Sequence, residues 1–572
     1  MKKNVKVTLI AGLALMLLFL GGCKSNQDNG IKTPIKNNET TKSESSNEET
    51  KTESALDNLP EAKTVQDTTT ELGYSDVNQG NWPESKYSVK EFNVGNSEYK
   101  LSTGKSMPYQ IRGIIGMPEG DGPFPLVLIT HGSHENIKEN TRFDTGFDYL
   151  VETFAKHGIV AVSMDLGQAY IWKYGDTDDK DKSVYMANDH LEHLMQAVKG
   201  NENKYPVDLK NKIDFDKISF IGHSRGGETI IDIAANMESK GHPVTSLLCI
   251  APTNLQGDHT YTDSNVAILV PEYDGDVIGL DGYFIYDNFN KNSKGTHSIT
   301  FLKGANHNYF NRNIKPNDAT LIHKAYELKD QISREDQENF LKGFALDYIM
   351  GDFQKQQTIF DPNQPQPNTM YGQNVKSQLR RATYKSLIDP SKEDTFGIEN
   401  VTASYVTDSW WYQIDEVPVD TITGGQGDQK TRALLKITWN QKYSKIKFIP
   451  TTTDLSGFNS LVIDLLVDPA DDTNNNITNQ QFKVRLVDDA GNTATINLPD
   501  KLNALTVPAG KLEKTEVEDK EIPYWSKVTP LGNLLLPLKS FTNIQLDKIK
   551  SIDLVFDDTD RGSILVGGIR AQ

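Results

Sequence analysis

Apolar and polar positions follow two different rhythms along this chain. Between roughly Tyr87 and Leu387, short β-branched runs are separated by stretches with apolar residues at helical spacing, which predicts a mainly parallel sheet covered by helices on both faces. Strands are predicted at Gln110 to Met117, Leu126 to Thr130, Ile159 to Met164, Lys217 to Gly222, Ser246 to Ala251, Ala267 to Val270 and Ser298 to Leu302. Helices are predicted over Phe147 to Lys156, Ser183 to Val198, Gly226 to Met237 and Glu335 to Met350. After a Pro/Gln/Asn-rich stretch, Asp361 to Asn374, period-two alternation takes over. Ala433 to Thr438, Leu461 to Val467, Phe482 to Val487 and Ser551 to Phe556 read as strands, with turns such as Asp489 to Asn492 between them, so an all-β sandwich is expected over 398–572.

The N-terminus has its own pattern. Lys2, Lys3 and Lys6 precede an apolar run from Val7 to Leu20, too short to span a bilayer comfortably and laid out as a secretion signal. Leu20-Gly21-Gly22-Cys23 follows at once and resembles the lipobox of bacterial lipoproteins. That resemblance implies cleavage before Cys23, lipidation of its thiol, and a protein anchored to the outer face of the cytoplasmic membrane at the bacterial cell surface. From Lys24 to about residue 86 the chain is rich in Asn, Thr, Ser, Glu and Lys and nearly free of aromatics, which predicts a disordered polar tether. The expected organisation is a signal at 1–23, a tether at 24–86, an α/β catalytic unit at 87–390 and the sandwich at 398–572.

Composition narrows the partners. At 572 residues the chain exceeds one hydrophobic core, and a net charge of -18 argues against affinity for nucleic acid or anionic phospholipid. Of two cysteines, Cys249 lies in the apolar run Leu247 to Ile250 and reads as a buried strand residue.

The chemistry concentrates in Asp216-Lys217-Ile218-Ser219-Phe220-Ile221-Gly222-His223-Ser224-Arg225-Gly226-Gly227. An apolar strand runs into Gly-x-Ser-x-Gly and then a helix, the layout of a nucleophile elbow. The five residues alone are a weak signal in a chain with 42 glycines; the flanking strand and helix give them weight. A serine hydroxyl needs a base and an orienting acid, and in such folds these follow in the order Ser, Asp or Glu, His. Asp274 is the expected acid, in the loop after the strand ending at Val270, with Asp276 as its alternate. His307, in the loop after the next strand, is the expected base. The Arg225 amide, at a helix N-terminus, is expected to face the oxyanion. His223 is expected to shape the elbow. His190 and His193, three apart on a helix, read as a solvated face rather than a metal site, and the oxygen-rich loop Asp468 to Asn476 reads as polar rather than calcium-binding.

Over about 300 residues the first unit resembles the α/β-hydrolase superfamily, within it the dienelactone hydrolase, chlorophyllase and polyester hydrolase group. His131-Gly132, Gly222 to Gly227, Tyr273-Asp274-Gly275-Asp276 and Gly304-Ala305-Asn306-His307 carry the likeness. It implies a triad of Ser224, Asp274 and His307, an oxyanion loop opened by His131-Gly132 with the Ser133 amide as second donor and His134 as alternate, and no metal or organic cofactor. Gly175 to Lys182 and Lys199 to Lys212 lie where cap or lid segments often enter this fold. The C-terminal region looks like a galactose- or carbohydrate-binding jelly roll, in which Trp410, Trp411, Tyr412, Tyr524 and Trp525 are candidate sugar platforms for a cell-wall or extracellular glycan, although aromatic residues of a sandwich more often pack in its core.

The leading functional expectation is a cell-surface serine esterase acting through an acyl-enzyme on an ester of unspecified class. A serine peptidase of the prolyl oligopeptidase type shares the motif but needs a gating domain that nothing before Tyr87 supplies. A non-catalytic glycan-binding surface lipoprotein is the alternative from another class.

Overall fold

Successive residues of the central strands face two different apolar clusters, and that alternation builds the larger unit. The computed structural model describes residues 65–175, 179–255, 257–277, 281–322, 328–356, 359–392, 395–408, 432–517 and 520–572. Cys23, Trp410, Trp411 and Tyr412 lie outside the described residues, and nothing is described of the Tyr524 side chain.

The chain opens with β1 (Asp67–Glu71) and β2 (Ser75–Val77). It continues through β3 (Tyr87–Lys100), β4 (Ser106–Pro118), β5 (Phe124–Thr130), β6 (Val160–Met164) and β7 (Ile213–His223). The remaining strands of the unit are β8 (Val244–Ile250), β9 (Asn265–Tyr273), β10 (His297–Asn306), β11 (Pro367–Met370) and β12 (Gln373–Arg380). All but β1 form one sheet in the order β3-β4-β6-β5-β7-β8-β9-β10-β12-β11-β2. The run from β6 to β10 is parallel, with antiparallel strands at both flanks.

Helices cover both faces, as the apolar runs require. Along β5, Leu126 and Leu128 join one cluster with helices α2 (Asp179–Val198), α3 (Arg225–Ser239) and α4 (Asp281–Asn292). Val127 and Ile129 join the other, with α1 (Asp148–Lys156) and α5 (Arg334–Gln354). Cys249 is buried in β8, and burial pushes its thiol pKa up, as suits a core residue.

The order of the sheet reverses beside β5, where the chain steps outward to β6 and returns to β7. The loops after β5 and β7 therefore meet at the carboxyl edge of the sheet, the crevice where ligands of such folds bind.

Several expectations need correcting. The tether does not reach residue 86: β1 pairs with Thr493–Asn497, β2 joins the large sheet, and the Gly80 amide donates to Asp347 at 3.0 Å. The Pro/Gln/Asn-rich stretch, for which no strand was expected, contributes β11 and the start of β12. Residues Lys385–Ile388 pair with Gly562–Ala571, so the second unit begins before 390. Lys199 to Lys212 lies at the amino edge of the sheet, where the Lys212 carbonyl accepts from Phe124 at the start of β5, and so cannot cover the carboxyl edge. His190 is buried against Phe92, while His193 pairs with Glu202 at 2.7 Å, so the two neither share a ligand nor form one solvated face.

The C-terminal region builds two sheets of six strands each, one of them completed by β1, and both contribute to one apolar cluster, with Ile446, Val484 and Leu554 from one and Ile437, Ile463 and Val566 from the other. Trp525 is not a sugar platform. It is buried against Leu434, Leu466 and Leu565, and its indole donates to the Ala509 carbonyl at 3.0 Å. In the oxygen-rich loop the Lys436 ammonium sits 2.9 Å from both Asp468 and Asp471, taking the place a cation would need. Among the described residues no cluster suits a metal ion, and no helix is long and apolar enough to cross a membrane.

Candidate active site

Ser224 sits between β7 and α3 at φ 58°, ψ -128°, a backbone conformation that L-residues rarely adopt. Its amide donates to the Ile250 carbonyl at 2.9 Å, and its carbonyl accepts from Gly227 at 2.8 Å, which locks the sharp turn. The turn needs its glycines: a Cβ on Gly222 would run into the Gly226 carbonyl, and one on Gly226 would lie 2.8 Å from the Thr130 hydroxyl. Arg225 opens α3, so its amide belongs to the first turn, where N–H groups point out along the axis.

The loop after β5 presses directly on the serine. A point one bond beyond the Gly132 Cα lies 2.9 Å from Ser224 Oγ and 3.0 Å from His134 Nε2. The Ser133 hydroxyl donates to Asn136 at 2.7 Å, a bond that ties down the backbone expected to bind the oxyanion. His131 is buried, with Nδ1 2.8 Å from the Gly132 carbonyl and Nε2 accepting from the Leu166 amide at 3.1 Å.

His307 and Asp274 come together. Nδ1 of His307 lies 3.0 Å from Asp274 Oδ2, both groups are buried, and Nε2 is left without a partner. The other Asp274 oxygen accepts from the Asp276 and Val277 amides at 3.0 and 2.6 Å. Asp276 has a different place, half exposed and 3.6 Å from Nε2 on the opposite side of the ring. Burial alone would lower the His307 pKa, but Asp274, then Asp276 and Asp318, raise it to about 9. Burial likewise raises the Asp274 pKa, against the pull of His307.

His223, expected to shape the elbow, supports the His307 loop: its Nε2 donates to the His307 carbonyl at 3.1 Å, and its ring lies 4.6 Å from that of His307. His134 stacks on it at 5.6 Å, and burial followed by the neighbouring histidines holds the pKa of both well below the usual value.

Asp318 was not foreseen. Its carboxylate accepts the Gly275 amide at 2.7 Å, the His307 amide at 3.0 Å and the Asn308 amide at 2.9 Å, joining the acid loop to the base loop. A lone Asp in a polar loop carries no sequence signal for that role. Below the elbow, Glu228 and Asp232 of α3 flank the buried His259 at 3.3 and 2.8 Å, a second histidine–carboxylate cluster that sequence reasoning also missed.

Residues 78–359 match the Chlorophyllase family. This region is an α/β-hydrolase. The sheet order, the elbow after β7 and the family match agree on that assignment. Among solved structures, a dienelactone hydrolase-like promiscuous phosphotriesterase from metagenomic libraries is 16% identical, with a TM-score of 0.28 over 39% of this chain and 85% of that one. No curated protein matches the chain.

Proposed function

We propose that this α/β-hydrolase cleaves carboxylic esters with Ser224 as nucleophile, His307 as base and Asp274 as the acid that orients it. The observation that carries this reading is the buried His307–Asp274 pair at 3.0 Å with Nε2 unpartnered, together with the elbow geometry of Ser224. Ser224 Oγ bonds to the ester carbonyl carbon as its proton passes to His307 Nε2. The alcohol then leaves with that proton. Water, deprotonated by the same nitrogen, attacks the acyl-enzyme and releases the acid. The Arg225 and Ser133 amides are assigned to the oxyanion. The lipobox-like Leu20 to Cys23 supports a lipid anchor at Cys23 that holds the enzyme on the outer face of the cytoplasmic membrane.

Hydrolysis of p-nitrophenyl acetate tests the chemistry. Wild type should turn it over, and Ser224→Ala should lose roughly three orders of magnitude or more in kcat. A folded wild type with no turnover would point instead to a binding protein on a hydrolase scaffold.

A further inference from the structure

A cleft of about 400 Å³ opens beside the nucleophile, with Gly132 and His134 forming the wall it shares with Ser224. This volume is in the range of small-molecule sites, roughly 300–1,000 Å³. Its chemistry does not suit a fatty acyl chain. Of its eighteen lining residues only Pro108, Phe143, Ile171 and Met186 are purely apolar.

The charged groups of the wall are already neutralised. Arg112 pairs with Asp165 at 2.7 Å, Lys138 with Glu135 at 2.8 Å, and Glu139 with Lys173 at 2.9 Å. An anionic ligand would have to compete with these carboxylates for the cations, and a cationic one with the cations for the carboxylates. What the wall offers is uncharged hydrogen bonding from the amides of Asn140 and Gln168, and aromatic surface from Tyr109 and Tyr170. Where the cleft meets the nucleophile, His134 Nε2 is buried and unpartnered, and its neutral ring serves a hydroxyl rather than an ion. Amides, aromatic faces and a neutral imidazole are together the chemistry that binds a polyhydroxylated ring.

We infer that the cleft between His134, Phe143 and Tyr170 binds a neutral sugar whose acylated hydroxyl presents the scissile ester to Ser224. The inference rests on the reading of Ser224 as an ester-cleaving nucleophile. In the reaction the acyl carbon–oxygen bond breaks, the sugar oxygen takes the proton from His307, and water supplies the oxygen of the released acid.

The test compares kcat/KM of the full chain on methyl 6-O-acetylglucopyranoside and on hexyl acetate, two acetates of primary alcohols that differ in polarity. Wild type should prefer the sugar ester by tenfold or more. Asn140→Leu with Gln168→Leu should cut that preference at least fivefold; Asn140 is exposed, so its single variant, which should lower the preference in the same direction, reports even if the double variant does not fold. Equal or better hydrolysis of hexyl acetate, with p-nitrophenyl acetate turned over, overturns the sugar subsite and leaves the esterase standing. If p-nitrophenyl acetate is not turned over, the esterase fails and the subsite with it.

Discussion

The carboxylate of Asp318 accepts the backbone amide of His307 at 3.0 Å, so the proposed base is held by a residue eleven places farther along the chain. The same carboxylate takes the Gly275 amide, next to Asp274, so one side chain sets the spacing of both loops. Asp318→Ala leaves three amides without an acceptor, and such groups cost roughly 1–3 kcal/mol each when buried. The expected result is a folded but less stable protein whose kcat falls about 100-fold through displacement of His307, while KM changes little. Circular dichroism and steady-state kinetics read the two effects; unchanged kcat would show that the loops hold their places without Asp318.

The raised pKa of His307 sets the pH profile. A general base acts only when deprotonated, so kcat/KM should climb with pH and level off only as His307 loses its proton at about 9. Asp276 stabilises the imidazolium from the side of Nε2. Asp276→Asn should therefore move the inflection to lower pH. A profile already flat above pH 7, or a shift upward in the variant, contradicts this electrostatic account.

The backbone of Ser224 is strained, and strain costs stability. Its φ of 58° suits glycine better than serine. Ser224→Gly should abolish hydrolysis while raising unfolding stability by about 1 kcal/mol. Chemical denaturation measures this, and a destabilised variant would mean that the backbone is held there without strain.

The buried His259 couples stability to pH. Burial would lower its pKa, but Asp232 and Glu228 raise it to about 9, above the unfolded value of about 6.5. Its contribution is thus complete below pH ~6.5 and is lost as pH rises through about 9. His259→Gln leaves two carboxylates facing each other and should destabilise the protein by roughly 3–5 kcal/mol at neutral pH, with a smaller difference from wild type at alkaline pH. An equal difference at both pH values would contradict the charged state assigned to His259.

What could be foreseen from sequence followed how much of each signal was local. The parallel strands read clearly because both their faces are buried, leaving continuous apolar runs such as Leu126 to Ile129. The elbow was legible because strand, turn and helix are contiguous. By contrast, β3 is a flanking strand with many exposed polar residues, and β12 was hidden because half of what it buries is polar, Lys376, Ser377 and Gln378 lying between the core residues Val375 and Leu379. The α4 segment, rich in Tyr, Phe and Asn, has weak intrinsic helix preference and is held by packing on the sheet. Asp318 and His259 act through contacts between segments separated along the chain, which no local pattern encodes. Trp525 stayed open between core and sugar contact because a tryptophan on a strand looks the same whether its ring faces solvent or, as here, the core.

The central claim is that Ser224 is an activated nucleophile, and a fluorophosphonate probe measures this directly. Mass spectrometry of the labelled wild type should place one adduct on Ser224, and Ser224→Ala should take up none. A folded wild type that stays unlabelled, or one labelled at another residue, would contradict the account.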